Sequence, residues 1–268
     1  MFSQRPSFFP EDNPGGRGTS VRLAAGFAQW RGTRAAQNDS VFVSDDDPQR
    51  GLLIALADGI GLDEGAGRAA DLATAAMRED YLRKEPLVLH RQTLRMMGAA
   101  HRAVLALNDE QEARDLPRVG TAAACVLIRE GKLSFCTVGN VRVFLWRAGL
   151  LLQLNRDHLL SLEAEERDIL RGDAPDLDPD WARQVTAFVG MDGLQKIDCQ
   201  RETITLLPED RVLAISSGLY GVLSEEELAS LTAAGLPQQA AEAIVERVRA
   251  MRPASQSNVS AAVAQFSV

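Results

Sequence analysis

The chain is poor in cysteine, histidine and aromatic residues, has fewer basic than acidic side chains, and contains no long apolar run. Its three cysteines, Cys125, Cys136 and Cys199, are an odd number at wide spacing with no CxxC pair. The spacing therefore indicates neither a disulfide framework nor a zinc site, and a reducing cytoplasmic compartment is the expectation. No apolar stretch approaches the roughly 20 residues that cross a bilayer, so no membrane span is expected. The opening MFSQRPSFFPEDNPGGRGTS lacks the apolar core of a secretory signal and reads as a flexible N-terminal tail over residues 1–20. Lysine and arginine number 29 against 37 aspartates and glutamates, a net charge of -8. That balance argues against nucleic acid or an anionic membrane as partner, because both are held by clustered cations.

What is present is a sequence with enough apolar residues, 46% of 268, to build a sizeable core. Val21–Gln29, Ser40–Val43 and the LLIALAD run ending at Asp58 have strand character, the last buried on both faces. Helical spacing follows over Ala69–Leu82 and Leu89–Asn108, with Met77, Met96 and Met97 as core filler and His90 and His101 facing solvent. Next come TAAACVLIRE, LSFCTVG, VRVFLWRAG and LLQL, whose regular breaks predict one antiparallel meander. Ser161–Arg171 reads as a helix, residues 172–180 as an acidic loop, and ETITLLPEDRVLAISS as two strands joined at Pro208-Glu209-Asp210. Ser224 with Glu227 three residues on is a capping-box pattern, Gln238–Arg252 is amphipathic, and Asn258–Phe266 alternates like a strand. Two β-blocks separated by a helical pair, with more helices before a closing strand, predict a single α/β (α+β) domain over 21–268 with two packed sheets flanked by helices.

Several short segments share an order. They are Arg34-Ala35-Ala36-Gln37-Asn38-Asp39, Ala57-Asp58-Gly59-Ile60-Gly61, Gly120-Thr121-Ala122 and Val138-Gly139-Asn140-Val141-Arg142. Arg156-Asp157-His158, Val185 through Gly190, Asp210 through Leu219, and Ser257-Asn258-Val259-Ser260 complete the set. In that order they resemble the successive signatures of the metal-dependent serine/threonine protein phosphatase family, the PPM or PP2C group. The resemblance implies a four-layer α-β-β-α sandwich of two mainly antiparallel sheets.

Members of that family hydrolyse phosphomonoesters with a water bridging two divalent ions. Hard ions such as Mg²⁺ and Mn²⁺ take oxygen ligands, chiefly carboxylates. The resemblance implies that Asp58 and Asp39 are the catalytic metal ligands together with the Gly59 carbonyl, and that Arg34 grips the substrate phosphate with its planar fork. Elsewhere the acidic ligands of the pattern are replaced: Asn38 stands for a Glu, and Asn140, Ser217 and Ser257 each stand for an Asp. Two divalent ions about 4 Å apart repel by roughly 16 kcal/mol at an effective dielectric near 20. With so few carboxylates, one weakly held Mg²⁺ or Mn²⁺ is expected and a second is not, unless Asp63, Glu64 or Asp192 supplies charge. Three functions remain open. One is a pseudophosphatase that binds a phosphorylated protein or a regulatory partner in Ser/Thr phosphorylation signalling. Another is a divergent, active protein Ser/Thr phosphatase. The third is a protein interaction module unrelated to phosphate, acting through the N-terminal arm or the acidic loop 172–180.

Overall fold

The computed structural model describes residues 22–61, 64–83, 85–171 and 184–267. The tail expected over 1–20, Asp63 and the acidic loop 172–180 lie outside the described residues, as does the side chain of Glu64. A five-stranded antiparallel sheet has the order β1 (Arg22–Trp30), β11 (Val259–Ser267), β10 (Arg211–Ile215), β6 (Arg142–Arg147), β7 (Leu150–Gln153). A second sheet has the order β2 (Asp39–Val43), β3 (Leu52–Ile60), β4 (Gly120–Arg129), β5 (Lys132–Val138), β8 (Asp198–Cys199), with β9 (Ile204–Thr205) also on β5. Helices α1 (Glu64–Arg83) and α2 (Leu89–Glu112) cover the second sheet, α4 (Glu225–Ala233) and α5 (Pro237–Ala250) cover the first, and α3 (Leu160–Arg171) follows β7.

The period-2 alternation of strand side chains explains the four layers. In β3, Leu53, Ala55 and Ala57 pack under α1 and α2, while Leu52, Ile54 and Leu56 point into the core between the sheets. This is why LLIALAD has no polar face. Met77, Met96 and Met97 are fully buried, as expected. Ser224 accepts a hydrogen bond from the Glu227 N–H, and Glu227 accepts one from the Ser224 N–H, so the predicted capping box forms. Among the described helices, none is long and apolar enough to cross a membrane.

Two expectations are corrected. The meander splits, because β4 and β5 lie in one sheet whereas β6 and β7 lie in the other. Gly139 sits at the break with φ +89°, and a Cβ there would come 2.5 Å from the Ala122 Cβ, so only glycine allows the chain to leave β5 this tightly. The two strands expected on either side of Pro208-Glu209-Asp210 do form, β9 in one sheet and β10 in the other. Finally, His90 and His101 are partly buried rather than solvent-facing, and His101 Nδ1 accepts the Gly190 N–H at 3.2 Å because α2 packs against that segment.

Candidate functional site

The alternation that builds the core also builds the site. Asp58 continues the Leu52, Ile54, Leu56 face of β3, and Asp39 continues the Val41, Val43 face of β2. The two aspartates are direct cross-strand partners. On the opposing sheet, Ser216 follows Val212 and Ala214, and Ser260 precedes Ala262 and Ala264. The apolar core thus ends in two carboxyls facing two hydroxyls. Ser260 Oγ donates to Asp39 Oδ2 at 2.6 Å, and Ser217 donates both its N–H (2.9 Å) and its hydroxyl (2.6 Å) to Asp58 Oδ2.

Burial raises both carboxyls above the usual aspartate range, and for Asp39 the charge of Asp58 raises it further. Two adjacent acids out of water cannot both ionise cheaply, so the pair retains a proton unless a cation takes its place. Asp39 Oδ1 is buried and has no hydrogen-bond partner, nor has Asn38 Oδ1.

Above the pair lies a cavity of about 440 Å³ lined by Arg34, Asn38, Asp58, Gly59, Asn140, Ser217 and Ser257, among others. Each has an identifiable support. The Arg34 guanidinium is exposed over the cavity and donates to Ser257 Oγ at 3.0 Å. Asn258 holds the loop that carries Arg34: its side-chain Oδ1 accepts the Asn38 N–H at 2.8 Å, and its side-chain Nδ2 donates to the Arg31 and Ala36 carbonyls at 2.8 and 3.0 Å. Gly218 lets the end of β10 approach this strand, since a Cβ there would meet the Asn258 carbonyl oxygen at 1.9 Å. On the far side, Asp157 accepts two bonds from Arg142 at 2.7 and 2.9 Å. The Arg142 guanidinium lies 3.8 Å from the Tyr220 ring centre, and the Tyr220 hydroxyl donates to the Asn140 carbonyl. His158 Nδ1 accepts the Gly139 N–H at 3.1 Å, so it secures the same turn.

These contacts join segments that are far apart in the chain, and a family model described as protein phosphatase 2C matches residues 31–242. The chain belongs to the protein phosphatase 2C family. A curated relative from Oryza sativa subsp. japonica, a protein kinase and PP2C-like domain-containing protein, is 30% identical over 171 residues. That match covers 60% of this chain and 24% of the relative, so the chain spans about a quarter of that relative's length. Among solved structures, the catalytic domain of the serine threonine protein phosphatase PstP, in complex with two manganese ions, superposes with TM-score 0.74 at 23% identity. It covers 93% of this chain and 100% of its own. Serine/threonine phosphatase Stp1 from Staphylococcus aureus gives TM-score 0.75 at 19% identity over 94% and 98% of the two chains. The fold is therefore the PP2C sandwich.

Of the residues singled out in the sequence, Arg34, Asn38, Asp58, Gly59, Asn140, Ser217 and Ser257 converge on this one PP2C cavity, with Asp39 beside Asp58 beneath it. Asp192 does not join them; it is exposed and pairs with Arg118 at 2.7 Å. Among the described residues, no cluster of three or more His, Cys, Asp or Glu could hold a metal ion. Ser216, Ser260 and the loop-holding role of Asn258 escape sequence reasoning. The alternation of β10 and β11 was the signal that could have found the two serines.

Proposed function

We propose that this PP2C domain, residues 21–268, is a cytoplasmic pseudophosphatase that has lost turnover and binds a phosphorylated protein or a regulatory partner. The carrying observation is that the wall opposite Asp39 and Asp58 presents the neutral side chains of Ser217, Ser257 and Asn258 to the cavity, with Ser217 hydrogen-bonded directly to Asp58. The residues present fit one divalent cation and not a pair. A single Mg²⁺ or Mn²⁺ would be held by Asp58, Asp39 and the Gly59 carbonyl, and the unpartnered buried Asp39 Oδ1 is an acceptor suited to it. Such a cation supplies Lewis-acid polarisation of a phosphoryl oxygen. A second ion would lack the anionic oxygens needed to offset its repulsion from the first.

The chain's own groups account for phosphate capture. Arg34 reaches over the cavity with donors left free beyond its bond to Ser257, and Ser257 steadies the guanidinium without neutralising it. An aspartate at 257 would compete with phosphate for that fork; a serine leaves the cation's charge to the ligand. The expectation is that a phosphoserine peptide binds and that Arg34→Ala weakens it by roughly ten- to a hundredfold, the loss of a charged hydrogen-bond pair. The wild-type domain should leave p-nitrophenyl phosphate at background rates in millimolar Mn²⁺, while Ser217→Asp/Ser257→Asp gains Mn²⁺-dependent turnover.

A second reading is favoured by that same unpartnered Asp39 oxygen: a divergent enzyme working with one cation. Wild-type hydrolysis in Mn²⁺, abolished by Asp58→Asn, would establish it and displace the first.

A further inference from the structure

The three cysteines, scattered in sequence, stand side by side in the second sheet. Cys125 of β4 is the cross-strand partner of Cys136 of β5, which on its other side is the partner of Cys199 of β8. All three face the layer beneath α1 and α2, and all are free thiols. Directly opposed residues in an antiparallel pair have Cα atoms about 4.5–5.5 Å apart, inside the roughly 4.4–6.8 Å that a disulfide spans. Cys125 and Cys199 are two strands apart, near 10 Å by the inter-strand spacing, and cannot be joined without moving the sheet.

The thiols differ in access and in acidity. Cys125 and Cys136 are completely buried, whereas Cys199 lies on the edge strand and is partly exposed. Its sulfur lies 3.9 Å from the His90 carbonyl oxygen and 4.0 Å from Thr93 Oγ1 at the start of α2. A hydrogen bond from the Cys136 thiol, with a smaller contribution from Thr93, brings Cys199 down to about 7. The same bond, with burial, holds Cys136 well above the usual thiol range, and burial pushes Cys125 up as well. Cys199, the more accessible and more acidic thiol, thus stands directly across the ladder from Cys136, within the span of a disulfide.

We infer that Cys199 and Cys136 form an oxidisable thiol pair, closed by a hydroperoxide, whose disulfide fastens the edge strand β8 to the sheet. The Cys199 thiolate attacks the O–O bond of the hydroperoxide and takes one oxygen as sulfenic acid, while the hydroxide or alkoxide that leaves picks up a proton from solvent to become water or an alcohol. The Cys136 sulfur then attacks the Cys199 sulfur, the S–O bond breaks, and the hydroxyl leaves as water with the Cys136 proton. Two thiols are oxidised and one peroxide is reduced. Only two residues make up β8, so a covalent bond is a large addition to its attachment. Asp198 in β8 also accepts the Arg156 backbone N–H at 2.7 Å. The latch therefore acts on the 156–158 turn that supports the Asn140 side of the cavity.

The test uses the intact chain treated with one equivalent of hydrogen peroxide, denatured, alkylated and mapped by mass spectrometry without reductant. The titre of free thiols should fall from three to one, with Cys125 the remaining thiol and a linked peptide joining 136 and 199 that dithiothreitol releases. Cys125→Ala should keep the link, which guards against a mere loss of folding in Cys136→Ala and Cys199→Ser, where it should vanish. An unchanged titre in the wild type, a 125–136 link, or sulfinic acid at Cys199 with Cys136 still alkylatable would each overturn the inference.

Discussion

One wall of the cavity comes from the β2–β3 pair and the other from the ends of β10 and β11, and the two are built alike. Each places a polar residue where the apolar alternation of its strand reaches the rim of the sandwich: Asp39 and Asp58 on one side, Ser216 and Ser260 on the other. Each also adds neighbouring residues to the cavity lining, Gly59 near the end of β3 on one side and, on the other, Ser217 just past β10 and Ser257 just before β11. The backbone frame is therefore equivalent, and the difference is one of charge. The carboxyl wall is anionic and buried, which raises both of its carboxyls above the usual aspartate range, while the hydroxyl wall is neutral and donates hydrogen bonds to the first. In this PP2C fold the serines hydrogen-bond carboxylate oxygens of both aspartates, and the proposed loss of ion capacity rests on that arrangement.

The sharpest way to break this comparison is to remove charge from the carboxyl wall. In Asp58→Asn the amide oxygen can still accept from Ser217, so the local packing survives while the anionic ligand is lost. Saturable Mn²⁺ binding by calorimetry should weaken by at least about a hundredfold, more than the tenfold to hundredfold typical of losing a group one layer further out. Equal Mn²⁺ affinity in wild type and variant would mean that the cation sits elsewhere, and the asymmetry of the two walls would lose its meaning.

The hydroxyl wall invites a different cut. Asn258 is buried and makes three hydrogen bonds to the 31–38 loop. Asn258→Ala leaves the Asn38 N–H and two carbonyls without partners and should cost about 2 kcal/mol of stability in urea unfolding, given about 1–3 kcal/mol for an orphaned buried group. Phosphopeptide affinity should fall with it, because Arg34 rides on the same loop. A variant as stable as the wild type would show that water replaces the amide, and that this wall is less firmly built than the other.

Much of this frame was legible in the sequence, for physical reasons that differ by element. The capping box at Ser224 and Glu227 is local chemistry and needs no tertiary information. Helix α1 begins at Glu64 rather than Ala69, because Ala66 packs into the covering layer and Gly67 packs against Asn38, contacts that no local pattern encodes. The ordered family segments supply Arg34, Asp58, Ser217 and Ser257, which line one cavity because the order of the segments follows the fold. What stayed hidden depended on which sheet a strand joins. The partition of β5 from β6 turns on the backbone at Gly139, and the adjacency of Cys136 with Cys199 turns on a two-residue strand too short to show a period. The facing of Ser260 with Asp39 required two sheets to be stacked in register, which no single segment records.

The smallest expected effect concerns the third side of the cavity, the Gly139–Asn140 turn, which is held by a titratable neutral group rather than by charge or amide. His158 Nδ1 accepts the Gly139 N–H, so the proton of the neutral ring is on Nε2, and protonating Nδ1 would turn this acceptor into a donor facing a donor. Burial lowers the folded-state value of His158 below the ordinary 6.5, Lys196 lowers it further, and Asp198, Glu163 and Asp157 oppose the shift. Between the two values the unfolded chain binds more protons than the folded one. The contribution to stability is therefore complete above about 6.5 and is lost as pH falls through the lower folded value. His101, another partly buried acceptor with a lowered value, adds to the same acid slope through Gly190. Urea midpoints measured from pH 8 down to pH 5 should decline less steeply in His158→Gln than in wild type, and less steeply still with His101→Gln added. Parallel slopes in all three proteins would mean that neither imidazole needs to be neutral. The turn beside Asn140 would then owe its position to Arg142, Asp157 and Tyr220 alone.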